Sequence, residues 1–334
     1  MFDINQNISS PLSLVFIVGG LVALVKSADS FVAAAAVLAR KLGLSPLIVG
    51  MIVIGFGTSA PELFVSILSG LAGHSDISLG NAYGSCVFNI AVVLGISTLV
   101  APLVVKASVC RVAVPLLAGS TMLSYALLQD GRLSRVDALI LLAVFLVLFP
   151  LYCLYDQKKM GAPPSECADE SEPEMSLLKS ALVSLFALLV LIVSSQLLVW
   201  GCVDFARDVL HVSELVIGLT IIAMGTSLPE LAAAVASARR GESEFAIGNI
   251  IGSNLFNTLG IVGVAGLLSP LADFSSYVVV RDLPMMLLVS LSLFAFGFNW
   301  KQPRVDGRLG RWVGLVWVCS FIAYAWMLVD QEIL

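Results

Sequence analysis

Charge is what this 334-residue sequence has least of: Asp, Glu, Lys and Arg together make up 12% of it, against about a quarter in soluble domains. Histidine is scarcer still, with only His74 and His211, and neither stands in an HExxH pattern. No cysteines are spaced as CxxC and no GxGD aspartate pair occurs, so the usual signatures of metal clusters and intramembrane proteases are missing. The six cysteines, at 86, 110, 153, 167, 202 and 319, sit mostly in apolar runs. There a free Cys behaves as a small hydrophobe, and neither a disulfide nor a metal cluster is expected from them. Residues 1–10 lack a basic stretch ahead of the first apolar run, so that run is expected to stay rather than be cleaved as a signal peptide.

What is present is apolar surface. Hydrophobic residues make up 59% of the chain and the mean hydropathy is +1.00, values that belong to an integral membrane protein. The apolar residues form long runs with short polar breaks, which predicts a helix bundle, because barrel strands would alternate over about ten residues instead. Ten runs are long enough to span: roughly 11–39, 44–70, 78–104, 108–128, 134–155, 177–203, 212–238, 245–270, 282–299 and 311–330. Much of the net charge of −5 sits in 156–176, which carries Asp156, Glu166, Asp169, Glu170, Glu172 and Glu174. Its acid, Ser and Pro content predicts a disordered tether. With the N-terminus outside, thirteen Lys and Arg fall in inside loops and four in outside loops. That bias puts both termini and the 130–135 loop outside, and 156–176 and 301–311 in the cytoplasm.

The chain also repeats itself. Adding 168 to Gly57-Thr58-Ser59-Ala60-Pro61-Glu62 gives Gly225-Thr226-Ser227-Leu228-Pro229-Glu230, and the match runs without a gap from Ser45/Ser213 to Gly95/Gly263. Ten of the twenty positions in 44–63 and seven of the sixteen in 80–95 are identical to their counterparts. A shift of 168 corresponds to five spans, and an odd number turns the second copy upside down. The expected fold is therefore an all-α membrane protein of ten transmembrane helices in two inverted five-helix repeats. The halves are 1–155 and 177–334, the linker is 156–176, and the repeat cores are 44–104 and 212–270. Inverted repeats with broken helices meeting near the midplane are a recurrent plan of secondary transporters.

Among 23 acidic residues, Glu62 and Glu230 sit deepest in the apolar runs. An ionised carboxylate in hydrocarbon is costly and calls for a cavity or a counter-charge. No Lys or Arg lies in those two runs, which leaves a bound cation as the natural partner. Each Glu follows a proline, which removes the N–H that would bond the carbonyl of Gly57 or Gly225. Thr58 and Ser59 lie four and three residues before Glu62, as Thr226 and Ser227 do before Glu230, so hydroxyls, carbonyls and a carboxylate share one side of each helix. These are hard oxygen donors of the kind Na⁺ and Ca²⁺ prefer. The following runs add Ser85 and Asn89, and Ser253 and Asn257, at i,i+4 spacing. Gly80 with Gly84, and Gly248 with Gly252, offer small faces for close helix approach.

The pairs GTSAPE with GNAYGSCVFN and GTSLPE with GNIIGSNLFN resemble the two alpha-repeats of the sodium/calcium exchanger family, within the calcium/cation antiporter superfamily and nearest its bacterial inner-membrane members. The resemblance covers nearly the whole chain. It implies an antiporter rather than an enzyme, which transports Ca²⁺ and Na⁺, needs no cofactor, and has small inorganic cations and the lipid bilayer as its only partners, with no nucleic acid or protein implied. By the same resemblance Glu62 and Glu230 would be the central Ca²⁺ carboxylates shared with Na⁺, with the Thr58 and Thr226 backbone oxygens completing the Ca²⁺ shell. Ser59, Ser227, Ser85 and Ser253 would give hydroxyls to Na⁺, the carbonyls of Gly55 and Ala223 would help, and Asn89 and Asn257 would line the middle. Two positions depart from the family pattern: Cys86 stands where the motif usually has Asn, and Asn257 where several relatives have Asp. The alternative is a proton-coupled Ca²⁺ antiporter of the same superfamily. That branch typically carries GNxxE motifs, whereas here Gly80-Asn81 is followed by Ala82, Tyr83 and Gly84.

Overall fold

Inside lipid every backbone N–H and C=O must be satisfied within the protein, which selects helices. Helices dominate the computed structural model, which describes residues 10–160, 175–208, 223–272 and 274–333. In chain order they are α1 (Ser10–Leu42), α2 (Pro46–Thr58), α3 (Ala60–Leu71), α4 (Ser75–Val100), α5 (Val109–Leu128), α6 (Arg135–Met160), α7 (Leu177–Asp208), α8 (Leu228–Arg239), α9 (Ser243–Leu268), α10 (Val278–Gly297) and α11 (Arg311–Ile333). Among the described residues eight helices are long and apolar enough to cross a membrane, and α2 with α3, bent by 46° at Ser59, would make a ninth. The expected run at 212–238 begins outside the described residues. Its described remainder is the turn Ala223–Gly225 followed by α8, so the count of ten stays an expectation.

The tether expected at 156–176 lies largely outside the described residues, but its first part does not. Helix α6 runs on to Met160, and Asp156 is buried in its last turns. There Asp156 accepts a hydrogen bond from Ser45 Oγ at 2.6 Å, while Gln157 accepts from Ser45 N at 3.1 Å and donates to Gly43 O at 2.6 Å. These bonds fix the α1–α2 connection, which explains why an acid read as part of a solvated linker is buried instead. Arg281, one of the four basic residues assigned to outside loops, likewise falls in the first turn of α10, where it pairs with Asp282 at 2.6 Å.

Helices α4 and α9 form the centre, with 78% and 83% of their apolar windows buried against 22–39% for the other long helices. The close approach is between backbones. A methyl group added at Gly252 would lie 2.5 Å from Met51 O, and one at Gly248 2.5 Å from Leu47 O. The small face expected on α9 is thus packed on α2, across the two repeats. A methyl group added at Gly80 or Gly84 would meet no other element within 4 Å among the described residues, so the small face expected on α4 carries no such close approach. Helices α1 and α7 pack antiparallel, Gly20 against Leu198 and Gly201 against Ser13 and Ile17.

Two short ribbons, too small to signal themselves in the sequence, tie the repeats together. Strand β1 (Leu103–Val105) pairs antiparallel with β4 (Gly307–Leu309), and β2 (Arg132–Leu133) with β3 (Leu271–Ala272). Residue 103 shifted by 168 is residue 271, so β1 and β3 correspond under the repeat, whereas β2 shifted by 168 falls at 300–301, ahead of β4. Each joins one half to the other. Since α5 crosses between β1 and β2, the ribbons lie on opposite sides, consistent with an inverted second copy.

Candidate functional site

The helix break sits where the sequence put it. Ser59 has φ −80° and ψ 8°, outside the helical basin, and Pro61 occupies the first turn of α3, where its missing N–H costs nothing. Ser227 repeats this with φ −92° and ψ 9° ahead of Pro229 in α8. The N-terminal turns of α3 and α8 therefore carry Glu62 and Glu230, both fully buried.

The breaks face each other. Ser59 Oγ donates to Glu230 Oε1 at 2.9 Å, and Ser227 Oγ donates to Glu62 Oε1 at 3.0 Å. Each serine thus serves the carboxylate of the opposite repeat, not the Glu three residues along its own helix as the spacing suggested. The physical reason is the break at Ser59 and Ser227, which swings their hydroxyls out of register with the helix that follows. Ser227 Oγ also lies 3.3 Å from Ser85 Oγ, and Ser253 Oγ donates to Gly55 O at 3.0 Å. Thr58 Oγ1 donates back to Ile54 O at 3.0 Å. The fold thus brings Ser59, Ser227, Ser85, Glu62 and Glu230 together, and Thr58, Gly55 and Ser253 on an adjoining cross-repeat contact. Ala223 stands in the turn before Thr226.

Several polar atoms here have no hydrogen-bond partner among the described residues: Glu62 Oε2, Glu230 Oε2, Thr226 Oγ1, Asn89 Oδ1, and both Oδ1 and Nδ2 of Asn257. Buried polar groups are nearly always satisfied, so the open oxygens of the two carboxylates are candidates for a ligand. No Lys or Arg pairs with either Glu among the described residues. One freed carbonyl is already taken, since Ser195 Oγ of α7 donates to Gly225 O at 3.1 Å.

Sequence reasoning did not assign Asn81 and Asn249 a role. Asn81 Nδ2 donates to the Glu62 carbonyl at 3.0 Å, and Asn249 Nδ2 to the Glu230 carbonyl at 3.1 Å. The same side chain holds the backbone of the same residue in both copies, so these are positioning residues for the carboxylates. Their identity under the 168-residue shift was the available signal. Stretches of wider π-helix follow at Asn89–Leu94 and Phe256–Ile261, and another at Gly50–Gly55. Such bulges concentrate at functional sites.

The profile of the family described as sodium/calcium exchanger protein matches residues 12–152 and 179–329. The inner membrane protein YrbG of Escherichia coli K12 is 37% identical over 321 residues, covering 95% of this chain and 97% of the relative. The sodium/calcium exchanger MaX1 of Methanosarcina acetivorans is 28% identical over 342 residues, covering 91% and 95%. A solved structure of the sodium-calcium exchanger NCX_Mj, soaked with zero Na⁺ and Ca²⁺, matches with a TM-score of 0.78 and 27% identity, covering 96% of this chain and 98% of that one. Family profile, full-length relatives and fold agree: the chain belongs to the sodium/calcium exchanger family.

Proposed function

We propose that this protein exchanges Ca²⁺ for Na⁺ across the bacterial inner membrane by alternating access, at a site centred on Glu62 and Glu230. One observation carries the reading: two fully buried carboxylates, each with one oxygen held by a serine of the opposite repeat and, among the described residues, the other unpartnered and no basic side chain paired to them. Two ionised carboxylates make −2, which one Ca²⁺ neutralises and two Na⁺ neutralise equally. Competition for one pair of charges is what couples the two fluxes. In this proposal Ser59, Ser227, Ser85 and Ser253 give hydroxyls, the backbone oxygens of Thr58, Thr226, Gly55 and Ala223 add neutral dipoles, and Asn89 and Asn257 line the middle. Residues 1–155 and 177–334 act as two inverted halves joined by the 156–176 linker.

Stoichiometry follows from charge. With Asn257 neutral, a third Na⁺ would leave an uncompensated +1 in a desolvated cavity, which is costly. The expected result is voltage-independent, Na⁺-driven Ca²⁺ flux in vesicles clamped at several membrane potentials, corresponding to two Na⁺ per Ca²⁺. Clear electrogenicity would mean three. A response to a pH gradient without any response to Na⁺ would leave the proton-coupled reading in its place.

Orientation is a separate proposal from the basic-residue bias, with both termini outside. An impermeant thiol reagent is expected to reach Cys167 in inverted vesicles and not in intact cells. Labelling in intact cells would reverse the topology.

A further inference from the structure

Asn89 of α4 and Asn257 of α9 are related by the 168-residue shift, yet their surroundings differ. Three residues before Asn257 stands Asn254, and three residues before Asn89 stands Cys86. On one side the ties are complete: Asn89 Nδ2 donates to Asn254 Oδ1 at 3.0 Å, and Asn254 Nδ2 donates to Cys86 O at 3.0 Å. The mirror-related ties would need an amide at position 86, its nitrogen donating to Asn254 O and its oxygen accepting from Asn257. The Cys86 thiol occupies that place, 3.7 Å from Asn254 O and 3.6 Å from Thr258 Oγ1, with Asn257 beside it. A thiol is a weak donor and a weak acceptor. Asn257 is fully buried and among the described residues its amide atoms meet nothing stronger than the Cys86 thiol beside them, whereas Asn89 is held by its nitrogen and keeps its oxygen open.

We infer that Cys86 is a specificity-determining residue: by withholding an amide oxygen it leaves the Asn257 nitrogen untied, so the Asn257 oxygen must be ordered when Na⁺ binds, whereas Asn89, tied to Asn254 through its nitrogen, holds its own oxygen ready. This rests on the Na⁺/Ca²⁺ exchange reading above. The departure at position 86 and the neutral residue at 257 then form one device, since the free amide on one side exists because its neighbour is not an amide. Cys86 itself is a positioning residue and acts through Asn257.

The test is Ca²⁺ efflux from proteoliposomes of the full chain, measured against external Na⁺ and, separately, against Ca²⁺. Cys86→Asn restores the missing acceptor and ties Asn257. The half-saturating Na⁺ concentration is expected to fall about fivefold, since the freedom of one side chain no longer has to be lost on binding, with the KM for Ca²⁺ changed less than about twofold because the carboxylates carry that ion. Cys86→Ala supplies no acceptor and is expected to keep wild-type Na⁺ dependence. If Cys86→Asn does not reconstitute, Cys86→Ser, close in shape to the thiol and a true acceptor, is expected to shift Na⁺ dependence in the same direction by less. Unshifted Na⁺ dependence in Cys86→Asn, or in Cys86→Ser where that is the variant measured, overturns the inference, as does an equal shift in Cys86→Ala. A wild type whose Ca²⁺ flux ignores Na⁺ defeats the exchange reading itself. A Na⁺-responsive wild type with an unshifted variant defeats only the role of Cys86.

Discussion

Glu62→Gln and Glu230→Gln are each expected to abolish Ca²⁺ transport while the protein still inserts and folds. The amide keeps the shape of the carboxyl group and can still accept from Ser227 or Ser59 through its oxygen, so the contact between repeats survives. What disappears is half of the counter-charge. Breaking a buried ion pair by removing one partner costs about 3–5 kcal/mol, a loss of roughly 10² to several 10³-fold in Ca²⁺ affinity. Because both carboxylates hold one divalent ion, the double variant is expected to be little worse than either single one. The measurement is Ca²⁺ flux in proteoliposomes, with thermal stability in detergent recorded alongside. Near-normal flux in either single variant removes that residue from the site. Loss of folding would show that the carboxylate is structural instead.

Gly252→Val is expected to disrupt the assembly itself. An added Cβ at position 252 would sit 2.5 Å from Met51 O and 2.6 Å from Met51 Cα, both backbone atoms of a neighbouring helix that cannot step aside as a side-chain tip can. Overpacking a well-filled interior costs about 1–3 kcal/mol even where side chains can adjust, and here the backbone of α9 must move off α2. That displacement also drags Ser253 from Gly55 and Asn249 from the Glu230 carbonyl. Stability and flux should therefore fall together, with Gly252→Ala between Val and wild type. Gly119→Ala, on an exposed face of α5 with nothing within 4 Å among the described residues, is the control and should change neither. A stable, active Gly252→Val protein would mean that α9 and α2 do not rely on this contact.

The helical architecture, the position of both helix breaks and the two carboxylates were legible from residues alone. Each is a local consequence of chemistry: apolar runs must become helices in lipid, a proline cannot close the turn before it, and an acid in hydrocarbon demands an explanation. The repeat added the relation between halves, because an odd number of spans inverts the copy. The tertiary structure decided what the repeat could not, namely which copy each side chain serves. Spacing on one helix put Ser59 beside Glu62, but the break at Ser59 turned it to Glu230. Asn81 and Asn249 became visible as clamps only once their helices lay against the carbonyls they hold. Asp156 could be taken from the acidic tether only when Ser45, more than a hundred residues away, was found against it. The sequence by itself determined which residues must find partners in the membrane, since burial and backbone chemistry are local properties. Which partners they found depended on contacts between two halves 168 residues apart, and only packing settles distances of that kind.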